Sequence, residues 1–184
     1  IINYGKDSTY FPESNNKVLD KYNISNQFVL CVSHLYPYKN IINMIKAYHL
    51  ANLKSESKFK LIIAGKIYYD EFYEEIKKCI NKFDLNEIVK TIGIVNQQEL
   101  RALYSQCELL IFPSPCENFA YTLVEAMSCG APIVSSNTTA MPETCQNAAI
   151  YFDPNDVTDM SIKIGELMND KNLKAMWAKY IKDS

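Results

Sequence analysis

The sequence predicts an α/β fold in which a parallel sheet of about six strands lies between two layers of helices, the three-layer sandwich of Rossmann-like domains. Two observations predict this fold. Short runs of apolar residues recur along the chain, and their length suits strands that are buried on both faces. Stretches with helical periodicity separate these runs, and parallel strands need such helical crossovers.

The first half of the chain contains three predicted strands and two predicted helices. The apolar run at 28–33 is the first strand, and apolar residues at helical spacing predict a helix over 40–54. The run at 60–64 is the second strand, and the glycine that follows it marks its end. A charged, amphipathic stretch predicts a helix over 70–82, and the run at 88–92, also closed by a glycine, is the third strand.

The second half continues the same alternation. A capping-box-like start predicts a helix over 96–106, and the apolar run at 109–112, which a proline stops, is the fourth strand. A short helix is predicted over 122–129 because a glycine follows it. The runs at 132–135 and 149–152 are the fifth and sixth strands. Two further helices are predicted near the end of the chain, over 157–169 and 171–181.

The charge and the cysteines exclude several classes of protein. The 184 residues include 19 basic and 21 acidic ones, and this net charge of −2 is too balanced for a general nucleic-acid-binding surface. No apolar run approaches the roughly 20 residues that a membrane-spanning helix needs. The six cysteines include no CxxC pair, and both histidines are far in sequence from any cluster of cysteines, so we expect no zinc site and reduced thiols, as in a cytoplasmic protein.

The beginning of the chain differs from the rest. Residues 1–26 are polar and have no clear period, so we interpret them as a linker that leads into a domain over 27–184. The chain begins with Ile1 and not with Met, which predicts a processed protein or a piece of a longer one.

A candidate anion site follows the first predicted strand. There a loop ends in Lys39 at the start of a predicted helix. A helix N-terminus offers free N–H groups and a partial positive charge, so the lysine and the helix together suit an anion. The alternative is that Lys39 is an ordinary exposed lysine. Because the chain has a single arginine, Arg101, any anion site must depend on lysines and helix ends.

Two glutamates mark the segment after the fourth predicted strand. Glu117 falls in the loop and Glu125 lies on the helix that the loop feeds. A carboxylate over the strand ends can accept hydrogen bonds from the hydroxyls of a ligand whose phosphates occupy the helix end. The alternatives are that Glu117 complements the helix dipole and that Glu125 is a solvated helix residue.

The segment 113–134 resembles the nucleotide-sugar-binding motif of retaining family-4 glycosyltransferases of the GT-B fold. It contains two glutamates separated by seven residues, then Ala-Met, Cys-Gly and a proline before a valine-containing strand. Residues 2–7 resemble the linker into the second domain of that family, and 32–40 resemble its strand and phosphate-lysine loop. Residues 98–104 and 141–143 also match in order. The resemblance implies the C-terminal half of a GT-B fold, with the N-terminal acceptor domain absent.

The resemblance also implies a role for each matching position. Glu125 would hold the ribose of the donor nucleotide, and Glu117 would face the donor sugar. Lys39 would neutralise the diphosphate as it leaves, and we expect Glu117 and Lys39 to be the catalytic pair. Ile94 and Val95 would contact the base. The remaining donor-binding positions supply main-chain or N–H groups to the sugar and the diphosphate: Asn118, Phe119, Ala120, Thr122 and Leu123.

Three positions depart from the family pattern. Asn118 and Ala120 stand where glycine is frequent, so side chains there narrow the predicted pocket or alter which sugar fits. His34 stands where the family often has an arginine. A neutral histidine donates one hydrogen bond and carries no charge. His34 therefore either binds the nucleotide-sugar donor or is a packed residue at the end of a strand.

No Asp-x-Asp motif follows a strand, so we expect metal-independent binding of a nucleotide diphosphate sugar without another cofactor. The resemblance implies sugar transfer with retention to a glycan or lipid-linked acceptor, held through the absent domain, in bacterial envelope polysaccharide or lipopolysaccharide synthesis. We expect a cytoplasmic protein with peripheral membrane contact and no nucleic-acid partner, and an isolated chain that is inactive. The alternatives are half of a nucleotide-sugar epimerase and a non-catalytic nucleotide-binding module.

Overall fold

Six parallel strands form one sheet in the computed structural model, which describes residues 8–24, 27–55 and 58–170. The strands of this described part are β1 Phe28–Val32, β2 Lys60–Ala64, β3 Val89–Gly93, β4 Leu109–Phe112, β5 Ile133–Ser136 and β6 Ile150–Phe152. Their order across the sheet is β3-β2-β1-β4-β5-β6. The predicted parallel sheet of about six strands is therefore confirmed.

Helices connect the strands and cover both faces of the sheet. The helices of the described ranges are α1 Asn16–Lys21, α2 Ile41–Lys54, α3 Asp70–Lys82, α4 Gln97–Gln106, α5 Tyr121–Ser128, α6 Met141–Cys145 and α7 Val157–Asn169. A single 3-10 turn, Pro37–Lys39, precedes α2. The predicted capping box begins α4, because the side chains of Asn96 and Glu99 each accept a hydrogen bond from the backbone N–H of the other.

Alternate side chains of β1 build two separate hydrophobic cores. Val29 and Cys31 pack with α2, α3 and α7, whereas Phe28 and Leu30 pack with α1, α4, α5 and α6. All four side chains are fully buried. Burial of one large apolar side chain contributes about 1.5–3 kcal/mol to folding, so β1 stabilises both layers at once. The predicted three-layer sandwich is confirmed.

The order of the strands reverses at the centre of the sheet. From β1 the chain moves outward through β2 to β3, and it then returns to pair β4 with the other side of β1. Val29 lies opposite Leu109 and Leu30 lies opposite Leu110 in this pairing. The crossovers on the two sides of such a reversal diverge, and they leave a crevice at the carboxyl ends of the two strands.

The predicted elements agree with the structure to within about one residue at their ends, apart from three that the sequence analysis did not predict. These are α1, the 3-10 turn Pro37–Lys39 and α6. Each is six residues or shorter, which is too short to show a helical period. The helix predicted over 171–181 lies outside the described residues, and the boundary between linker and domain stays a prediction. Among the described residues, no helix has the length and apolarity needed to cross a membrane.

Glu99 attaches α1 to the body of the domain. Its carboxylate accepts hydrogen bonds from the ammonium of Lys21, from the hydroxyl of Tyr22 at 3.0 Å and from the backbone N–H of Asn96 at 3.0 Å. Burial alone raises the pKa of the Glu99 carboxyl, but these hydrogen bonds outweigh that effect and hold its pKa below the ordinary value. The ionised carboxylate therefore stabilises the folded state.

We expect the stability of the domain to fall in acid because of Glu99. The stabilisation is complete above the pKa of an unfolded glutamate, about 4.3, and is lost as the pH falls through the lower pKa of the folded state. We expect Glu99→Gln to decrease the free energy of unfolding at pH 7 by about 1 kcal/mol and to flatten its pH dependence between about pH 5 and pH 3. Urea unfolding followed by circular dichroism measures both effects.

The matched control is Glu74→Gln, which removes an exposed ion pair with Lys77 on α3. We expect it to change the free energy of unfolding by less than about 0.5 kcal/mol. An equal effect of the two substitutions would contradict the role of Glu99.

Candidate functional site

A cavity of about 330 Å³ opens at the carboxyl ends of the central strands. Its walls come from the segments that follow β1, β2, β3 and β4 and from the first turn of α5. This position is the strand-order reversal, where parallel sheets bind ligands, and the volume suits a small molecule. The structure brings eight of the predicted residues to this cavity: His34, Lys39, Ile94, Val95, Glu117, Phe119, Ala120 and Thr122.

The ammonium of Lys39 and the carboxylate of Glu117 form an ion pair in the cavity wall. The two side chains are 16% and 18% exposed, so solvent screens their interaction less than it screens a surface pair. Lys39 comes from the segment after β1, and Glu117 comes from the segment after β4. The pairing of β1 with β4 therefore joins two charges that lie 78 residues apart in the sequence.

Two threonines that follow β5 form hydrogen bonds with the loop that carries Glu117. The hydroxyl of Thr139 accepts a hydrogen bond from the backbone N–H of Glu117 at 3.1 Å. The hydroxyl of Thr138 donates to the carbonyl of Pro115 at 2.8 Å. These bonds fix the backbone on both sides of Cys116, and with it the start of the Glu117 side chain.

Asn40 fixes the backbone next to Lys39. It adopts the left-handed conformation, with φ 61° and ψ 24°, which asparagine tolerates better than most residues. Its Nδ2 donates to the carbonyl of Pro154 at 2.7 Å and to that of Pro113, at the end of β4, at 3.3 Å. Sequence reasoning did not assign this role to Asn40. The signal was an asparagine between a turn and a helix.

Gly65 allows the ends of β1 and β2 to approach each other beside the cavity. A Cβ atom added at this position would lie 1.9 Å from the carbonyl oxygen of Ser33, which is a severe clash. The backbone N–H of Gly65 donates to the carbonyl of Gly93 at 2.8 Å. The glycine therefore brings the three loops that follow β1, β2 and β3 together at one wall.

The N-terminus of α5 closes another side of the cavity. Ala120, which precedes the helix, is buried, and its side chain makes no capping hydrogen bond. Because the first N–H groups of a helix point outward along its axis, this end adds partial positive charge near Lys39. Thr122 and Phe119 line the cavity on this side.

His34 lies at the exposed edge of the cavity and contacts the segment after β2. Its Nδ1 accepts a hydrogen bond from the backbone N–H of Lys66 at 3.2 Å. A ring nitrogen that accepts a hydrogen bond is unprotonated, so the proton of the neutral ring lies on Nε2. His34 can therefore donate one hydrogen bond, from Nε2.

Ile94 and Val95 form the opposite end of the cavity. The side chain of Ile94 is 68% exposed, and Val95 packs against the core below it. Both follow β3, so they lie on the far side of β1 from Glu117. The cavity thus has an apolar end and a charged end.

A family model described as "Glycosyl transferases group 1" matches residues 15–184. The chain belongs to the group 1 glycosyltransferase family. It is 30% identical over 167 residues to O-antigen chain mannosyltransferase B of Escherichia coli, a match that covers 89% of this chain and 43% of the relative. It is also 30% identical over 164 residues to the serotype-specific mannosyltransferase WbdA of Escherichia coli, covering 88% of this chain and 20% of that protein. The chain therefore spans less than half the length of these relatives.

Solved structures of glycosyltransferases share the fold. The structure of HepE from Anabaena in complex with UDP and glucose superposes with a TM-score of 0.79, and it covers 91% of this chain and 46% of that one at 23% identity. The C-terminal domain of the group 1 protein LpcC from Francisella tularensis superposes with a TM-score of 0.83, covering 97% of this chain and 95% of that one at 18% identity. The predicted Rossmann-like fold of GT-B glycosyltransferases is confirmed.

Glu125 of this group 1 glycosyltransferase domain is not among the residues that line the cavity. Its Oε2 accepts a hydrogen bond from the hydroxyl of Tyr104 at 3.1 Å. Tyr104 is fully buried, and burial together with the negative charge of Glu125 raises the pKa of its hydroxyl well above the ordinary value. Tyr104 therefore stays a neutral donor and fixes the Glu125 carboxylate. The predicted ribose contact of Glu125 stays a prediction.

Two other predicted residues also lie outside the cavity wall. Asn118 is exposed, and Leu123 is fully buried in the core. The backbone N–H of Leu123 donates to the carbonyl of Ala120 at 2.9 Å, within the first turn of α5. The resemblance implies that this N–H group of Leu123 binds the diphosphate, but in this structure it is already hydrogen-bonded within the helix. The roles of Asn118 and Leu123 stay predictions.

We expect Asn40→Asp to destabilise the domain more than Asn40→Gly. Glycine keeps the left-handed backbone and loses these two hydrogen bonds together with the one that Oδ1 of Asn40 accepts from Nδ2 of Asn43, which costs about 1–2 kcal/mol. Aspartate keeps the shape but turns a carboxylate oxygen toward the carbonyls of Pro113 and Pro154, which costs about 2–3 kcal/mol. Urea unfolding at pH 7 compares the two variants. An aspartate variant as stable as the glycine variant would show that these hydrogen bonds do not hold the site.

Proposed function

We propose that the cavity binds a nucleotide diphosphate sugar and that the chain is the donor-binding domain of a retaining, family-4 hexosyltransferase. The observation that carries this proposal is the meeting of Lys39, Glu117 and the N-terminus of α5 at the strand-order reversal. A lysine and a helix end suit a diphosphate, and a carboxylate beside them suits sugar hydroxyls. The mannosyltransferase names of the relatives, and the UDP and glucose bound by HepE, favour the same ligand class.

The proposed donor lies across the cavity from its apolar end to its charged end. The base contacts Ile94 and Val95, which line the cavity. The diphosphate lies at Lys39 and the N-terminus of α5, and the sugar lies beside Glu117. Transfer leaves negative charge on the diphosphate, and a lysine and helix dipole already in place stabilise that charge in the transition state.

In this proposal the diphosphate replaces Glu117 as the partner of Lys39. In this structure the ammonium of Lys39 is paired with the carboxylate of Glu117. A bound diphosphate carries more negative charge than one carboxylate, so it attracts the ammonium more strongly. Glu117 is then released from the ion pair and can accept hydrogen bonds from the sugar. The ammonium of Lys39 thus has an anionic partner in both states, and hydrogen bonds from the sugar satisfy the released carboxylate.

Further parts of the proposal concern the whole protein. We propose that diphosphate binding needs no metal, because Lys39 and the end of α5 supply positive charge. We also propose that an additional domain holds a glycan or lipid-linked acceptor, in a cytoplasmic enzyme of bacterial envelope polysaccharide synthesis that contacts the membrane peripherally. The isolated chain is then expected to bind the donor without transferring its sugar.

The test of the proposal is the binding of UDP, GDP and their sugars, measured by thermal shift and by saturation-transfer NMR. Binding that is unchanged by EDTA supports metal independence. No response to any of these nucleotides, with the fold intact, would overturn the proposal. A second experiment supplies an acceptor domain and measures sugar transfer. Transfer together with nucleotide binding indicates a transferase, and it excludes an epimerase half and a non-catalytic module.

We expect substitutions of Lys39 and Glu125 to separate the phosphate contact from the ribose contact. Lys39→Ala weakens binding of the nucleoside diphosphate about tenfold or more and leaves the nucleoside almost unchanged, because the lost interaction is charge-assisted. Glu125→Ala weakens both ligands by a similar factor, because both contain the ribose. Isothermal titration calorimetry measures both affinities. Lys163→Ala, which removes a lysine on α7 outside the cavity, is the matched control. An unchanged nucleoside affinity in Glu125→Ala would show that the ribose contact is wrong.

We expect Glu117→Gln to strengthen the binding of the nucleoside diphosphate by roughly two- to fivefold. The substitution removes the charge that competes for Lys39, and one unit of opposing charge near a half-buried site is worth about 0.5–1 kcal/mol. The complete sugar donor does not gain to the same extent, because it loses the proposed hydrogen bond between its sugar and the carboxylate. Titrations with and without the sugar give this ratio. Glu143→Gln on α6 controls for the change in net charge.

A further inference from the structure

Three tyrosine rings form a column at the edge of the cavity. The rings of Tyr38 and Tyr36 stack with centroids 5.2 Å apart and planes at 17°. The rings of Tyr36 and Tyr68 stack at 4.6 Å and 14°. A lysine lies against each end, with the Nζ of Lys39 5.2 Å from the centroid of Tyr38 and the Nζ of Lys66 4.5 Å from that of Tyr68. The column thus runs from the segment after β2 to the cationic residue of the site.

The far end of the column is attached to the sheet independently of Lys39. The backbone N–H of Leu35 donates to the carbonyl of Lys66 at 2.9 Å, and Leu35 forms a parallel bridge with Ile67. Leu35 is 1% exposed, so this bridge rests on the core. Tyr68 follows the bridge directly. Its ring and that of His34 lie edge to face, with their centroids 5.5 Å apart. The bridge therefore holds the ring of Tyr68 at a fixed place beside the cavity.

The column does little to bury apolar surface. Tyr38 is 57% exposed and Tyr68 is 43% exposed, and none of the three tyrosines belongs to either hydrophobic core. Exposed aromatic side chains gathered at one place usually serve a binding site. Here the contacts of the column lead to Lys39, whose side chain is long and would otherwise sample many rotamers.

We infer that Tyr36, Tyr38 and Tyr68 are positioning residues that hold the ammonium of Lys39 at the diphosphate. The inference rests on the proposed function, because it assigns the column to the same anion site. The face of an aromatic ring carries partial negative charge and attracts an ammonium. Tyr38 thus supplies a second, uncharged contact for Lys39, and Tyr36 and Tyr68 keep that ring in place. When Glu117 is exchanged for the diphosphate, this contact stays.

The test compares nucleoside diphosphate and nucleoside binding in variants of the 184-residue chain. UDP, GDP and ADP are titrated first, and the tightest ligand is used together with its nucleoside. We expect Tyr38→Leu to weaken the nucleoside diphosphate by roughly three- to tenfold and to leave the nucleoside unchanged. We expect Tyr38→Phe to retain wild-type affinity, because the ring face is kept. Tyr68→Leu is expected to give a smaller loss of the same kind.

A double-mutant cycle shows whether the effect passes through Lys39. In the Lys39→Ala background, we expect Tyr38→Leu to cause no further loss of nucleoside diphosphate affinity. The control is Tyr73→Leu, which removes a similar lysine–tyrosine contact with Lys77 on α3, outside the cavity. It is expected to leave both affinities unchanged, and thermal unfolding checks that each variant is folded.

The outcomes separate this inference from the proposed function. If the wild-type chain binds none of the three nucleoside diphosphates, the proposed function fails and the inference fails with it. If the wild-type chain binds and Tyr38→Leu has no effect, the proposed function stands and the column has no positioning role. Equal losses for nucleoside and nucleoside diphosphate, or an additive loss in the Lys39→Ala background, would also overturn the inference.

Discussion

The parallel pairing of β1 with β4 is the constraint on which the site depends. It joins the two halves of the sheet and reverses the strand order at that point. Because the loops after both strands emerge at the same edge, residues that are distant in the sequence meet there. The ion pair, the end of α5 and the hydrogen bonds of Asn40 to Pro113 and Pro154 all require this pairing. A sheet with the two strands apart would have no such cavity.

The charged groups of the site neutralise each other, because opposite charges lie side by side and like charges are not clustered. One ammonium and one carboxylate face each other, and the remaining positive character comes from a helix end. A pair of opposite charges carries no large net charge, which agrees with a chain whose net charge is −2. Long-range attraction of an anionic ligand is therefore weak, and recognition depends on short contacts within the cavity.

Much of the fold could be predicted from the sequence, because the buried strands are continuous apolar runs with glycine or proline at their ends. Lys39 and Glu117 could also be placed together, since both follow central strands. The tyrosine column could not be predicted, although Tyr36, Tyr38 and Tyr68 all follow strands, because ring stacking depends on the relative height of two loops. Short helices such as α1 show no period, and the sequence pattern did not indicate that Glu125 faces Tyr104.

The attachment of α1 has a consequence for where the domain can be shortened. Tyr10, which precedes α1, belongs to the hydrophobic core of the domain. It is 2% exposed, and the centroid of its ring lies 6.2 Å from that of Tyr104. Tyr104 in turn holds Glu125. A truncation at residue 27 would uncover the apolar side of α4, leave Glu99 without Lys21 and loosen the neighbour of Glu125. Tyr10 and α1 therefore support the packing of α4, and through Tyr104 they help to fix Glu125 on the helix that begins at the cavity.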